Sequence, residues 1–126
     1  MTEETMRWIK QADHDLELAR RNMEIEGYDV CAFLCQQAVE KYFKALYLQK
    51  FKSPPPKTHY LDELGKKVKC PSDILDLAKE LSGDYMISRY PDVASAAPFE
   101  EYSREDAEEK IASAEQIIAW IKGNMK

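Results

Sequence analysis

A row of polar side chains that could hold an anionic ligand lies within the most apolar helical stretch of the chain, positions 30–51. Its members recur at positions i, i+3, i+4 and i+7, and we call them the polar row: Gln37, Glu40, Lys41 and Lys44, with Gln36 beside them. Residues at this spacing share one side of a helix, and lysine ammonium groups act as point charges towards phosphate. The polar row is either a solvated face, in which Glu40 and Lys44 form a favourable i, i+4 pair, or the lining of a cleft or of a symmetric dimer seam.

Two short segments carry further candidates for binding phosphate. Lys57, Thr58 and His59 follow three consecutive prolines and begin a predicted short helix, whose N-terminus would attract an anion. The alternative is that Thr58 caps its own helix while His59 only packs. Arg89 and Tyr90 end the fourth predicted helix, where Arg89 could bind phosphate in a fork or offset the helix dipole.

If these segments converge, they form a positive pocket on a protein whose formal net charge is −5. The candidate nucleotide- or phosphate-binding residues are Lys41, Lys44, His59, Arg89 and Tyr90, while Gln37 and Glu40 belong to the polar row or to a dimer seam. Four tyrosines are interpreted as half-buried core residues rather than as a base-stacking set: Tyr42, Tyr47, Tyr85 and Tyr90. The acidic net charge argues against a large nonspecific nucleic-acid surface but is compatible with a small basic pocket.

Composition restricts the class of protein further. The chain has 126 residues, of which 44% are hydrophobic and 33% charged, and this is typical of one globular domain, 1–126. It has no apolar run long enough to span a bilayer and no apolar leader at its start, so we expect a cytoplasmic protein. Cys31 and Cys35 lie one helical turn apart without a matching Cys or His pair, so we expect free thiols, no metal and no cofactor.

Hydrophobic periodicity predicts five helices, four of them long, and no β-alternation. Thr2 is placed to cap the first helix, Asp29 the second and Ser72 the fourth, while Ser103 and Asp106 form a variant capping box before the last. Short connections between long helices predict an all-α fold, an antiparallel four-helix bundle with one additional short helix.

The apolar stripes of these helices predict one buried core: Ala12, Leu16, Leu34, Ala38, Leu77, Leu81, Ile111, Ala114 and Ile118. The helix at 30–51 is apolar on well over half of its circumference and is therefore expected to be the central one. Apolar surface left over on this helix and on the last one predicts a homodimer.

Several groups of these residues, taken together, resemble the HEPN family, named for nucleotide binding in higher eukaryotes and prokaryotes. The matching residues cover nearly the whole chain: Trp8, Ala12, Asp15, Leu16 and Ala19; Tyr28, Asp29 and Phe33; Gln36, Gln37, Ala38, Glu40, Lys41, Lys44 and Ala45; Thr58, His59, Leu61 and Leu64; Arg89, Tyr90, Pro91 and Asp92. The resemblance implies a bundle that usually dimerises and is often encoded beside a minimal nucleotidyltransferase, as a two-component or toxin–antitoxin pair. It also implies that many relatives are metal-independent ribonucleases, using an arginine followed after four to six residues by a histidine.

The ribonuclease motif is the point at which this chain departs from the family pattern. After Arg89 the histidine would stand at one of three positions: Ala94, Ser95 or Ala96. None of these side chains can transfer a proton, which RNA cleavage without a metal requires. Arg7 and His14 have the right spacing, but they lie on the first predicted helix, outside the family's usual location, and we interpret the match as a coincidence.

Three functions remain open on these grounds. The first is a non-catalytic HEPN module of a toxin–antitoxin-like system that binds a nucleotide or RNA, or a nucleotidyltransferase partner. The second is a metal-independent ribonuclease that combines Arg89 with a non-standard histidine such as His59, which requires the fold to bring the two together. The third is a pure dimeric interaction protein.

Overall fold

The computed structural model describes residues 1–93 and 96–126, and every regular element in these two ranges is a helix. The helices are α1 (Glu3–Arg21), α2 (Tyr28–Phe51), α3 (Leu61–Lys67), α4 (Ser72–Ser82), α5 (Asp84–Ile87), α6 (Pro98–Glu101) and α7 (Arg104–Gly123). The all-α prediction is confirmed. The five predicted helices are present, but the fourth is divided at Gly83 into α4 and the one-turn helix α5, and the one-turn helix α6 is additional. None of the helices in the described part of the chain is long and apolar enough to cross a bilayer.

Local hydrogen bonds explain where α1 and α7 begin. Thr2 Oγ1 accepts a hydrogen bond from the Thr5 N–H at 3.1 Å. Ser103 Oγ accepts one from the Asp106 N–H at 3.1 Å, and Asp106 accepts one from the Ser103 N–H at 3.0 Å. Each bond satisfies an N–H group that a helix start leaves without a partner. Both predicted caps are therefore confirmed.

The helix α2 is central, as predicted, and contacts α1, α3, α4, α5, α6 and α7. It runs antiparallel to α1, because Lys41 pairs with Asp15 while Lys44, one turn further along α2, lies over Trp8, two turns earlier in α1. A helix packed on this many sides buries residues all round its circumference. That is why the polar row on α2 is not an ordinary solvated face.

The helix α7 runs in the same direction as α2, since the contacts between them keep their order. Arg104, at the start of α7, lies over Tyr28 at the start of α2. Lys126, just beyond the end of α7, is hydrogen-bonded to Gln49 near the end of α2. The C-terminal ends of the two helices therefore meet at one end of the bundle.

The core is one cluster, to which α1, α2, α3, α4 and α7 all contribute. Six of the nine predicted core residues are buried: Ala12, Leu16, Ala38, Leu81, Ala114 and Ile118. Leu34, Leu77 and Ile111 are only partly buried and pack against the margin of the cluster. The largest side chains at its centre are Tyr42 and Phe43.

Three predicted helix starts differ from the structure. The helix α3 begins at Leu61, so Thr58 and His59 precede it instead of capping it or lying in its first turn. The physical reason is tertiary: the Leu61 N–H donates to Ser82 Oγ of α4 at 3.0 Å, which removes the need for a local cap. Asp29 and Ser72, expected as caps, lie inside the first turns of α2 and α4.

Candidate functional site

Glu40 is the centre of a hydrogen-bond network inside the bundle. Its side chain is almost fully buried, and its two oxygens are shared among several donors. Oε2 accepts from Lys44 Nζ at 3.0 Å, and Oε1 lies 2.9 Å from His59 Nδ1 and 3.3 Å from Gln36 Nε2. A buried carboxylate is tolerated when its charge is paired and its lone pairs are satisfied, and Glu40 meets both conditions.

Gln36 and Gln37 complete the network around Glu40. The Gln36 carboxamide is fully buried and also donates to the His59 carbonyl oxygen at 2.9 Å. Gln37 Nε2 donates to Gln36 Oε1 at 2.8 Å. Gln36 therefore holds both the backbone of His59 and the Glu40 carboxylate that contacts the His59 ring. This arrangement fixes the loop before α3 to α2 even though the loop has no regular structure.

The two lysines of the polar row point to carboxylates and not to a common pocket. Lys44 is buried against Glu40, and its Nζ lies 5.7 Å from the ring centre of Trp8. Lys41 pairs with Asp15 of α1, and its Nζ also approaches Gln37 Oε1 at 3.4 Å. Both cations are thus neutralised within the chain. The interpretation of the polar row as a solvated face is wrong for Gln36, Glu40 and Lys44, which are buried.

Tyr85 brings His59 and Arg89 together. The His59 ring stacks on the Tyr85 ring with 4.1 Å between the centres and an interplanar angle of 12°. The Arg89 Cζ also lies 4.1 Å from the centre of the Tyr85 ring, so imidazole and guanidinium are separated by at most twice that distance. The ribonuclease alternative requires the fold to bring His59 and Arg89 together, and both lie against the same tyrosine ring. From the sequence, Tyr85 was interpreted only as a core residue, although its i, i+4 spacing to Arg89 was a usable signal.

Arg89 rests on an aromatic platform formed by Phe33, Tyr85 and Tyr90, with its Cζ 4.9, 4.1 and 4.8 Å from the three ring centres. Aromatic faces attract a guanidinium without neutralising its charge. Within residues 1–93 and 96–126 its hydrogen bonding consists of Nε donating to the Tyr85 carbonyl oxygen at 3.0 Å, and it joins no ion pair there. The outer edge of this exposed guanidinium is therefore available to an anion.

A groove of about 460 Å³ opens beside His59 and Tyr85. Apolar and aromatic side chains dominate its walls, to which α5 contributes Met86 and Ile87 and the loop before α3 contributes Tyr60. Its size falls in the range of small-molecule sites. Arg89, Tyr85 and His59 with this groove are called the Arg89 site below.

A second buried carboxylate holds α5, and with it Tyr85, in place. Asp84 accepts a hydrogen bond from the Tyr102 hydroxyl, and Lys110 Nζ of α7 lies 2.8 Å from Asp84 Oδ2. The approach of Lys110 makes an ion pair without hydrogen-bond geometry, so Oδ2 accepts no hydrogen bond from the part of the chain that the structure describes. Burial raises the pKa of Asp84 above its ordinary value, although Lys110 and Tyr102 both oppose this shift.

The remaining candidate positions lie apart from this site or outside the described residues. Ala94 and Ser95, two of the three positions where the missing histidine was sought, lie outside the described residues. Arg7 and His14 are exposed on α1. Lys57 is exposed in the loop before α3, and with α3 starting later it flanks no helix N-terminus.

Comparison with known proteins gives one family. The model of the HEPN domain matches residues 5–124. A protein described as "Putative toxin MJ1304", from Methanocaldococcus jannaschii, is 29% identical over 133 residues, which cover 94% of this chain and 86% of that protein.

Two solved structures have the same fold. The crystal structure of an archaeal HEPN homologue, ST0689, superposes with a TM-score of 0.84 at 38% identity and covers 100% of both chains. That of TT1696 from Thermus thermophilus superposes with a TM-score of 0.88 at 29% identity, covering 98% of this chain and 100% of that one.

Proposed function

The chain belongs to the HEPN family, and on this premise we propose that it is the nucleotide- or RNA-binding component of a toxin–antitoxin-like system. Its similarity to a protein described as a toxin supports such a role. The ligand binds at the Arg89 site, with its phosphate on the guanidinium and its base against the aromatic groove.

The observation that carries this proposal is the difference between Arg89 and the lysines. Lys41 and Lys44 are paired with carboxylates, whereas Arg89 is exposed, rests on three aromatic rings and joins no ion pair among the described residues. A planar guanidinium binds phosphate through two parallel N–H donors. His59 and Arg89 already cover the Tyr85 ring, and the groove next to them supplies the exposed ring of Tyr60, on which a base can stack.

Calorimetric titration with nucleoside monophosphates and short oligoribonucleotides tests this proposal. Arg89→Ala should weaken binding by about 1.5–3 kcal/mol, the scale of a hydrogen bond to a charged group, and the affinity of the wild type should fall as salt rises. Arg7→Ala is the matched control, because it removes the same charge from an exposed position on α1. Equal loss in both variants, or no heat with the wild type, would overturn it.

The contact between Glu40 and His59 favours a second candidate function, RNA cleavage without a metal. Glu40 Oε1 lies 2.9 Å from His59 Nδ1 and orients the ring, while 52% of the His59 side chain remains exposed. In this reaction the imidazole takes the proton of a ribose 2′-hydroxyl, and the oxygen attacks the adjacent phosphorus. The bond to the 5′-oxygen breaks, that oxygen takes up a proton from water, and a 2′,3′-cyclic phosphate is left. Arg89 would stabilise the charge that develops on the phosphorus oxygens.

Cleavage of a fluorogenic oligoribonucleotide in the presence of a chelator tests the second candidate. His59→Ala should abolish the activity, and His14→Ala, the other histidine in the chain, should leave it unchanged. Activity that survives in His59→Ala, or that the chelator removes from the wild type, contradicts this mechanism.

Assembly forms the finer part of the proposal. We propose that the protein is a homodimer and pairs with a minimal nucleotidyltransferase. Exposed apolar side chains close to the Arg89 site support a protein contact there: Tyr60, Met86, Tyr90 and Val93. Sedimentation at increasing concentration should show a dimer. A monomer at high micromolar concentration would remove the homodimer from the proposal, and failure to copurify with a coexpressed nucleotidyltransferase would remove that partner.

A further inference from the structure

A second positive cavity lies at the end of the bundle where the C-termini of α2 and α7 meet. It has a volume of about 460 Å³, and no acidic side chain of residues 1–93 or 96–126 lines it. Its walls are Leu46, Gln49, Lys50, Lys52, Val68, Trp120, Asn124 and Lys126. Three of these eight residues are lysines, on a protein whose formal net charge is −5. We call this cavity the lysine pocket.

The three lysines carry more positive charge than is needed to offset the negative partial charges of the two helix C-termini. A helix C-terminus carries about −0.5 of an elementary charge, so two converging ends amount to about one negative charge. Lys50, Lys52 and Lys126 supply three positive charges, and none of them joins an ion pair within the described ranges. The α-carboxylate of Lys126 at the end of the printed sequence adds one negative charge, so about one positive charge is left over. In contrast to Lys41 and Lys44, none of these lysines is paired with a carboxylate side chain within residues 1–93 and 96–126.

The walls of the lysine pocket are built from fixed groups as well as flexible side chains. The Gln49 carboxamide makes two hydrogen bonds with the backbone of Lys126, both 2.9 Å long, which tie the segment after α7 to α2. Asn124 Nδ2 donates to the Trp120 carbonyl oxygen at 2.9 Å. Trp120 is half-buried, so part of its indole packs on the core while the rest faces the cavity. An indole face next to unpaired ammonium groups suits a ligand with an aromatic ring and a phosphate.

The lysine pocket is separate from the Arg89 site. Phe33, under Arg89, and Gln49, in the wall of the pocket, lie on the same helix about 24 Å apart at the rise of an α-helix. The pocket also adjoins a depression of about 420 Å³ at the start of α1, lined by Thr2, Glu4 and Thr5, with Gln49 and Lys52 in both walls. The neutral part of a ligand in the pocket has room to extend towards the start of α1, whereas Glu4 disfavours a phosphate there.

We infer that the lysine pocket is a second binding site, for a nucleoside phosphate whose base stacks on Trp120 and whose phosphate lies among Lys50, Lys52 and Lys126. The ligand is either a free nucleotide or the terminal nucleotide of an RNA strand, since both present the same base and phosphate. The site does not depend on the Arg89 site for any residue.

Tryptophan fluorescence tests this site directly. Trp8→Phe leaves Trp120 as the only tryptophan of the chain, and this variant serves as the reference protein. Adenosine 5′-monophosphate and a 5′-phosphorylated hexaadenylate should each quench the Trp120 emission to saturation. Quenching by both probes with similar affinity assigns the site to a free nucleotide, and quenching at much lower concentration by the oligonucleotide assigns it to a strand end. No quenching by either probe overturns the inference.

Two triple variants with the same charge change separate the pocket from a general charge effect. Lys50→Gln, Lys52→Gln and Lys126→Gln together should raise the dissociation constant about tenfold or more, because all three charges face the ligand. Lys10→Gln, Lys66→Gln and Lys79→Gln together remove three exposed lysines elsewhere and should change it less than about twofold. Equal weakening in both triples overturns the inference. Thermal melts verify that each variant is folded.

Arg89→Ala in the Trp8→Phe background distinguishes the two sites. If the quenching of Trp120 is unchanged in this variant, the lysine pocket is a separate site. This inference then holds even if calorimetry finds no ligand at Arg89. Quenching that is lost with Arg89 would mean that the two positions form one site, which overturns the inference.

Discussion

The polar residues around Glu40 and those around Arg89 meet at His59, yet they are built on opposite principles. At Glu40, charges are buried and paired, and each donor in the network has an acceptor. At Arg89, the cation is exposed and rests on aromatic rings, which hold it in place without neutralising it. A buried charge is stable when it is paired and hydrogen-bonded within the chain, and a charge paired in this way is not available to a ligand.

The difference teaches which cations of this chain are candidates for binding. The lysines of the polar row have the right residue type for phosphate, but Lys41 is occupied by Asp15 and Lys44 by Glu40. Arg89 has no such partner in the described ranges. Glu40 nevertheless serves the Arg89 site indirectly, because it holds the His59 ring against Tyr85.

The largest expected effect is on stability and comes from Glu40. Glu40→Ala leaves Lys44 buried without its partner, and breaking one side of a buried ion pair costs about 3–5 kcal/mol. Denaturant titration measures this loss, with Glu80→Ala, an exposed glutamate of α4, as the control. A loss below about 1 kcal/mol would break the comparison, because Glu40 would then not be a structural centre.

A smaller loss is expected at the edge of the same network. Lys41→Ala removes the partner of the nearly buried Asp15, but Lys41 itself is 20% exposed, so water can partly replace it. We expect a loss of about 1–2 kcal/mol in the free energy of unfolding. Lys10→Ala, which removes an exposed lysine of α1, serves as the control. A loss as large as that of Glu40→Ala would contradict the ranking by burial.

Asp84 sharpens the comparison through pH, since it is buried like Glu40 but one of its oxygens has no hydrogen bond to any described residue. Burial raises its pKa in the folded state, so the folded protein binds this proton more tightly than the unfolded chain does. The stability from this proton is complete below the ordinary pKa of 3.8 and is lost as pH rises through the raised value.

Asp84→Asn cannot titrate, so the free energy of unfolding of the wild type should fall relative to that of the variant as pH rises above about 4. Chemical denaturation of both proteins across this range measures the difference. Tyr102→Phe is a control that keeps the carboxyl while removing one of its donors, and it should keep the pH dependence. A difference between wild type and Asp84→Asn that stays constant with pH would contradict the raised pKa.

The smallest effect on stability is expected at Arg89. An exposed cation on aromatic rings contributes about 0.5–1 kcal/mol, so Arg89→Ala should shift the free energy of unfolding by no more than this. The same variant should weaken ligand binding, as proposed above. Thermal melts and titrations of one preparation measure both quantities. A large loss of stability with unchanged binding would reverse the comparison and make Arg89 a structural brace.

Much of the fold could be predicted from the sequence because its determinants are local. Caps such as Thr2 and Ser103 bond to residues three positions away, and helical periodicity links each residue to the next turn. The same periodicity identified α2 as the central helix. Local rules failed at Thr58, because Ser82 of another helix satisfies the first N–H group of α3.

The candidate site was decided by tertiary structure, because residues far apart in the chain compete for the same charges. The sequence identified His59, Arg89 and the two lysines as residue types that can bind phosphate. Their spacing did not show which of them is free to do so. Packing then brought Asp15 to Lys41 and placed His59 between Glu40 and Tyr85. Which cation is neutralised and which stays open depends on these long-range neighbours, and no helical period encodes them.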